Sequence, residues 1–405
     1  MSADSALDTV DARLFDCVQV NLAVLADRWY GAGTHLRLGA VLRFRPEDGP
    51  GGLPTVERPA REELLDSAAA LGLAVLEWRT TRPGESVRPA PGRYVVADAF
   101  DLPWVPYHGR RHMEHSFLAE TVETDDGSIL VVDAYHNETP WGSARPLRRR
   151  LSRAELAAAV PGPALVATLA PAGEPPAPVR ARLDLADGQT ARGYVAAYAE
   201  HPDRVAALDR LTLETWLLAR SRALHLRFRQ FEGSLPDDTG AVAHVRAWES
   251  LAEAVYLGFR RVRRGRAEAA EVYARLTELL RRDHEVFGTA PAPTEPQPTE
   301  PRPVAASDAL RAQVVATAAE VLQVEPSVLA DGRPLADVPG FSSFRVVEIV
   351  ERLEGVLALE FAADDLVPEN LHHVDGICRI ARRALRARPT DHPRPLIPRP
   401  RSGEI

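Results

Sequence analysis

Between Gly288 and Ala306 the chain places six prolines in nineteen residues, Gly-Thr-Ala-Pro-Ala-Pro-Thr-Glu-Pro-Gln-Pro-Thr-Glu-Pro-Arg-Pro-Val-Ala-Ala. Proline has no N–H to donate, and its ring pushes the preceding residue out of the helical region. This stretch can therefore be neither a helix nor an inner strand. It predicts a semi-rigid extended spacer over 288–306, about 3.1 Å per residue. A chain of 405 residues is too long for one compact core in any case. The spacer cuts it into parts that must each bury their own apolar residues. The segment 389–405 is again proline-rich and is expected to be a disordered tail.

A net charge of −8 gives no reason to expect nucleic acid or an anionic membrane as partner. No apolar run approaches 18 residues and the N-terminus lacks a signal-peptide pattern, so a cytoplasmic protein is expected. The two cysteines, Cys17 and Cys378, fall in different parts and suggest neither a disulfide framework nor a zinc site. Cys378 sits among Val374, Ile377, Ile380 and Ala381 as a small packing residue.

Residues 1–170 mix helix and strand signals. Asp11–Tyr30 is an amphipathic helix candidate that contains Cys17. Tyr94–Ala97, Ser116–Val122 and Ile129–Val132 look like strands, the last two joined across Asp125-Asp126-Gly127, a hairpin signal. Ser152 followed by Glu155 announces a capped helix over 151–159. Residues 185–287 predict an all-α domain of about four helices. Its stripes are Trp216, Leu217, Leu224, Phe228 and Trp248, Leu251, Val255, Phe259, broken at Gly233–Gly240. The run Arg260, Arg261, Arg263, Arg264, Arg266 is a solvated helix face or a basic docking patch.

Past the spacer, Pro339-Gly-Phe-Ser-Ser-Phe-Arg-Val-Val-Glu delivers a serine to the start of a helix. The apolar residues Val346, Val347, Ile349, Val350 and Leu353 recur there at helical spacing. This segment resembles the second helix of acyl and peptidyl carrier proteins, and the likeness spans about 307–386. On that pattern Gly340 is the turn glycine and Ser343 the serine that bears 4'-phosphopantetheine. Glu348 and Leu353–Glu354 occupy family positions. Ser342 stands where the family has aspartate, and Phe344 where it has leucine. The resemblance implies a helical-bundle carrier domain over 307–388, primed by a phosphopantetheinyl transferase and charged by an acyl- or aminoacyl-loading enzyme. Glu348, Glu351 and Glu354 would line or border its exposed acidic face. A plain helix N-cap is the other reading of the serine.

Cys17 follows Asp16 near the expected helix start, where the dipole and free amides would lower a thiol's pKa and hold an oxyanion. The alternative is a buried helical cysteine. Arg93–Trp141 adds His112 and His115 ahead of the hairpin and Asp133 at the end of its returning strand. A thiol nucleophile needs a base, and the base an orienting acceptor. His115 adjoins the strand and is preferred to His112; Asp133 is preferred to Asn137, with the hairpin register deciding.

The order Cys, His, Asp resembles papain-like cysteine enzymes. It is closer to the cysteine peptidase-like family of butirosin biosynthesis protein H, whose members take an acyl group from a carrier protein. The motifs are Asp16-Cys17, Gly92-Arg-Tyr-Val-Val-Ala-Asp98 with Leu102-Pro103, His112-x-x-His115 and Val131-Val132-Asp133, plus the later Trp216 and Trp248. No glutamine precedes Cys17 over Val10–Asp16, so a peptidase is less expected than acyl transfer. The expected fold is an α+β papain-like domain (1–170), the all-α domain, and the carrier. The expected function is a carrier-fused thiol acyltransferase of a thiotemplated secondary-metabolite pathway, with Cys17, His115 and Asp133 as the triad and no metal. It would move an acyl or aminoacyl group to an amine or thiol on a small molecule or a second carrier. The alternatives are a non-catalytic docking domain fused to a carrier, or a thioesterase or cyclase with the same triad.

Overall fold

The structure is a computed structural model and describes residues 7–121, 128–235, 239–268, 271–288, 308–329 and 332–386. It divides into two compact units, 1–298 and 299–405. The expected spacer, apart from Gly288, the expected tail and the hairpin turn at 125–127 lie outside the described residues.

In the first unit a short 3-10 turn, Ala12–Leu14, precedes helix α1 (Gln19–Tyr30). Strands β1 (Val41–Phe44), β2 (Glu47–Asp48) and β3 (Pro54–Thr55) and helix α2 (Ala60–Ala70) follow. Then come β4 (Leu73–Thr80), β5 (Arg93–Asp98), β6 (Glu114–Thr121), β7 (Ile129–Asp133), β8 (Asn137–Thr139), β9 (Gly142–Ala144) and β10 (Leu147–Leu151). Helix α3 (Arg153–Ala159), β11 (Leu165–Pro171) and β12 (Arg182–Leu185) lead to α4 (Gly188–Ala199), α5 (Arg204–Phe231), α6 (Thr239–Val262) and α7 (Glu271–Gly288). Mixed α/β architecture is therefore established, with one six-stranded antiparallel sheet in the order β10-β7-β6-β5-β11-β4.

The expected hairpin is β6–β7, registered Leu118 to Val132. Six consecutive buried residues in β6 show that both faces of the sheet are covered. By alternation Tyr94, Val96, Ser116 and Leu118 share one face, which meets the start of α1: Tyr94 OH donates to Val18 O at 2.8 Å. His115, Phe117 and Asp133 take the opposite face. Enclosing side chains such as Phe117 and Leu118 contributes about 1.5–3 kcal/mol each. Gly92, which turns the chain into β5, has φ +65°, and a Cβ there would lie 2.2 Å from Leu169 O. The expected capping box at Ser152 and Glu155 is formed.

Four helices follow β12 as expected, and β12 pairs in parallel with β1. Phe44 and Leu53 join Tyr194, Tyr198, Leu211 and Trp248 in the helical core. Trp248 Nε1–H donates to Asp283 Oδ1 (3.1 Å), which also meets His244 Nε2 at 2.8 Å, while Arg222 binds the other carboxylate oxygen. The expected stripe at Trp216 is only half-buried, because Trp216 reaches out to β8.

His225, on α5, is buried with Nδ1–H donating to Gly39 O at 2.7 Å. Burial chiefly, with Arg229 and Arg222 nearby, pushes its pKa down to about 4 despite the Gly39 bond and Glu232. A depressed folded pKa means the stabilisation is complete above the unfolded value near 6.5 and is lost as pH falls toward 4, amounting to about 3 kcal/mol. Urea midpoints should therefore drop more steeply from pH 7 to 4.5 in the wild type than in His225→Gln; parallel slopes would refute this.

The second unit holds α8 (Asp308–Leu322), α9 (Ser343–Val356), the short α10 (Pro368–Leu371) and α11 (Val374–Arg386). Helix α8 packs on α9 and α11 through Val314, Ala318, Ile349, Leu353, Ile377 and Ile380. Cys378 is fully buried on α11. Glu354 is not on an exposed face: it is 7 % exposed, and its carboxylate accepts the Phe361 N–H at 3.1 Å. Glu348 is half-exposed and paired with Arg352 (2.9 Å) and Arg345 (3.5 Å). No helix among the described residues is long and apolar enough to cross a membrane.

Candidate active site

Cys17 lies in a turn just ahead of α1, not inside a helix running from Asp11. Two aspartates cause this. Asp11 caps the 3-10 turn through the Arg13 N–H, and Asp16 Oδ1 accepts the N–H groups of both Val18 and Gln19 at 2.8 Å, so the helix begins after them. The same arrangement overturns the expected low thiol pKa. Two amides of the turn are already taken, and burial first, then the Asp16 and Asp133 carboxylates, hold the Cys17 thiol well above its ordinary value. Burial and nearby Glu63 push Asp16 itself up to about 7 against its two amide bonds.

The Cys17 thiol donates to Glu114 O at 3.4 Å, and the Ser116 hydroxyl donates to Cys17 O. The cysteine turn therefore runs beside the first residues of β6, touching both chain neighbours of His115. Buried Asn21 of α1 locks the arrangement: its amide nitrogen donates to Ser116 O and its oxygen accepts the Ala134 N–H.

His115 is fully buried, with Nε2 2.8 Å from Asp133 Oδ2. Asp133 also accepts Trp104 Nε1–H on Oδ2 (3.0 Å) and Tyr135 N–H on Oδ1 (3.0 Å). Facing a carboxylate, Nε2 donates, so in the neutral ring Nδ1 holds the free lone pair. That Nδ1 is buried without a hydrogen-bond partner. The structure thus brings His115 and Asp133 into contact and lays Cys17 against the adjoining backbone, while the thiol and Nδ1 are not hydrogen-bonded to each other.

The two runner-up residues lie in other contacts. His112 is exposed, bonded to Asp98 (2.6 Å) and stacked on Phe100, apart from the pair. Asn137 donates to Tyr107 OH (2.9 Å) and accepts from Trp216 Nε1 (3.1 Å), so it does not orient His115.

Four residues of the site carried no sequence signal: Asn21, Trp104, Tyr135 and Arg220. Tyr135 sets its ring edge-on to His115 at 5.1 Å. Arg220, from α5, donates to Ala12 O, Phe15 O and His136 O and lies over the Trp216 ring at 4.1 Å. Among the described residues no group of three His, Cys, Asp or Glu side chains could hold a metal.

In the second unit, Ser342 is the N-cap of α9: it is 8 % exposed and accepts the Arg345 N–H at 3.3 Å. Ser343 is the first helical residue. Gly340 has φ +80°, and a Cβ would approach Leu322 O to 2.9 Å, so the turn requires glycine. No protein-family model matches the chain, and no curated protein matches it significantly.

A raised thiol pKa has a direct consequence for labelling. Cys17 keeps partial exposure while Cys378 has none. Iodoacetamide should modify Cys17 first, at a rate that climbs only above the free-thiol pKa of about 8.5. An inflection near pH 6 would mean a thiolate already paired with imidazolium.

Proposed function

We propose that the chain is a carrier-fused thiol acyltransferase of a thiotemplated secondary-metabolite pathway, papain-like over 1–170, all-α over 185–287 and a carrier over 307–388. The observation that carries the reading is the buried, unpartnered Nδ1 of His115, with Nε2 held by Asp133 and the Cys17 turn alongside. A buried imidazole nitrogen left without a partner has a desolvation cost and is the lone pair a general base needs. On the carrier side, Ser342 spends its hydroxyl on the helix cap, the task an aspartate performs equally well, and Ser343 opens the helix beyond a required glycine. These residues fit 4'-phosphopantetheine on Ser343. When attached, that group supplies a flexible thiol arm carrying the acyl or aminoacyl chain as a thioester.

The chain's own residues do the rest. The Cys17 thiol turns from Glu114 O toward His115 and gives its proton to Nδ1 as the sulfur bonds to the acyl carbonyl carbon. The carbonyl electron pair moves to oxygen, and the Cys17 N–H is the amide of that turn not claimed by Asp16. As the carbonyl re-forms, its bond to the carrier sulfur breaks and His115 returns the proton to the departing sulfur. An amine or thiol acceptor then adds to the acyl-Cys17, gives its proton to Nδ1, and Cys17 departs and recovers it. With a raised thiol pKa the attack is base-assisted rather than that of a standing thiolate. Tethering keeps donor and nucleophile at an effective concentration near about a millimolar.

A non-catalytic docking fold is the competing reading, favoured by the thiol's bond to Glu114 O. Intact mass and peptide mapping separate the two. After priming by a phosphopantetheinyl transferase with an acyl-coenzyme A and no acceptor, peptide mapping should find the acyl group moved to Cys17 in part of the molecules, with the thiol of their Ser343 arm left free. An adduct confined to Ser343 would leave only the docking reading.

A further inference from the structure

We propose that Arg220 is a positioning residue: one guanidinium clasps the loop leading into Cys17 and the loop leaving Asp133, and so sets the approach of Cys17 to His115. The inference rests on the acyl-transfer reading of those two residues. Nη1 donates to Ala12 O (3.1 Å) and Phe15 O, one and four residues past Asp11 and just before Cys17; Nη2 donates to His136 O (2.8 Å), three residues past Asp133. The two loops are more than a hundred residues apart in sequence, and α5 supplies this link between them. The guanidinium fork spreads its donors over two nitrogens facing two loops, whereas an ammonium has all three donors on one atom.

Arg220 has no carboxylate within ion-pair distance among the described residues; three carbonyls and the face of Trp216, 4.1 Å away, hold it, with the Asp16 and Asp11 charges acting on it from farther off. Trp216 is itself fixed, donating to Asn137, which donates to Tyr107, and Tyr107 and Tyr135 share a hydroxyl contact at 3.4 Å. Tyr135 returns to the pair through its N–H on Asp133 and its ring edge on His115. The path outward from the clasp through Trp216 thus ends at Tyr135, which touches both Asp133 and His115. A displacement of about 1 Å between nucleophile and base costs on the order of 10²-fold in rate.

The test uses the full chain, unprimed, with S-acetyl-pantetheine as the acyl probe, following acetylation of Cys17 by intact mass. Arg220→Ala and the charge-keeping Arg220→Lys should both lower the maximal acetylation rate by about 10²-fold. The probe concentration for half-saturation should stay within about two-fold, since the clasp acts on approach rather than on probe binding. Ethylguanidinium should restore at least about ten-fold in Arg220→Ala and nothing in Arg220→Lys, on the fork argument above. Iodoacetamide labelling of Cys17, which needs the thiolate but no acyl probe, is read in parallel at high pH, where hydroxide supplies the thiolate, and should change in Arg220→Ala and revert with ethylguanidinium. A wild-type maximal rate with wild-type labelling overturns the inference, as does a loss in both variants that ethylguanidinium never repairs. If wild-type Cys17 takes no acetyl group, it is the acyl-transfer reading that fails, and guanidinium-reversible labelling alone then decides for or against the clasp.

Discussion

His115→Ala should slow acyl loading of Cys17 by about 10²–10⁴-fold, the usual contribution of a positioned general base. The size follows from the thiol itself: with burial, Asp16 and Asp133 all disfavouring the thiolate, few molecules carry one at neutral pH without help. Loss of Nδ1 removes the proton acceptor in the first half-reaction and the proton donor to the departing sulfur. The control is His112→Ala, an exposed residue bonded to Asp98 and stacked on Phe100, which should leave the rate within about two-fold. Because His115 is fully buried, thermal melts of both variants must accompany the rates. Equal rates for the two variants would place the base elsewhere. Raising the pH should partly recover His115→Ala, since hydroxide can then do the deprotonation that the imidazole no longer does.

The elements that were legible are those with local causes. The β6–β7 hairpin announced itself through two strand-like runs on either side of Asp125-Asp126-Gly127, the helix at Arg153 through its Ser152–Glu155 box, and α9 through its apolar spacing behind Gly340. The position of Cys17 had a local cause that was misread: Asp11 and Asp16 are both capping residues, and together they split the expected helix in two. The preference for Asp133 over Asn137 rested on its place at the end of the strand, not on any contact the sequence could show. The contact itself depends on the register of β7 against β6, and one residue of slip would have turned Asp133 to the α1 face. Arg220 and Trp104 reach the site only through the fold, across separations that leave no periodicity to read. Glu354 looked like part of a solvated face because its partner, the Phe361 N–H, lies beyond the end of its own helix. Strand β1 was missed for a similar reason: its partner β12 is about 140 residues away, and only that pairing shows where residues 41–44 belong.

On the proposed carrier reading of the second unit, Ser343→Ala should abolish the mass increase that follows incubation with a phosphopantetheinyl transferase and coenzyme A, whereas Ser342→Ala should retain it. The Ser342 hydroxyl is already engaged. Ser342 is buried and accepts the Arg345 N–H, one of the orphan donors of the α9 start, so its removal should cost about 1 kcal/mol of stability and leave the next residue available. Ser342→Asp offers the sharper version of the experiment. Aspartate caps as well as serine, its charge suits the helix N-terminus, and it restores the residue the carrier family has there. That variant should therefore be at least as stable as the wild type and be primed at least as fast. Slower priming of Ser342→Asp would mean that the partner enzyme reads the serine pair itself rather than the cap. A mass increase surviving in Ser343→Ala would move the attachment point to Ser342 and require α9 to surrender its cap, which circular dichroism of the primed protein would show as lost helix.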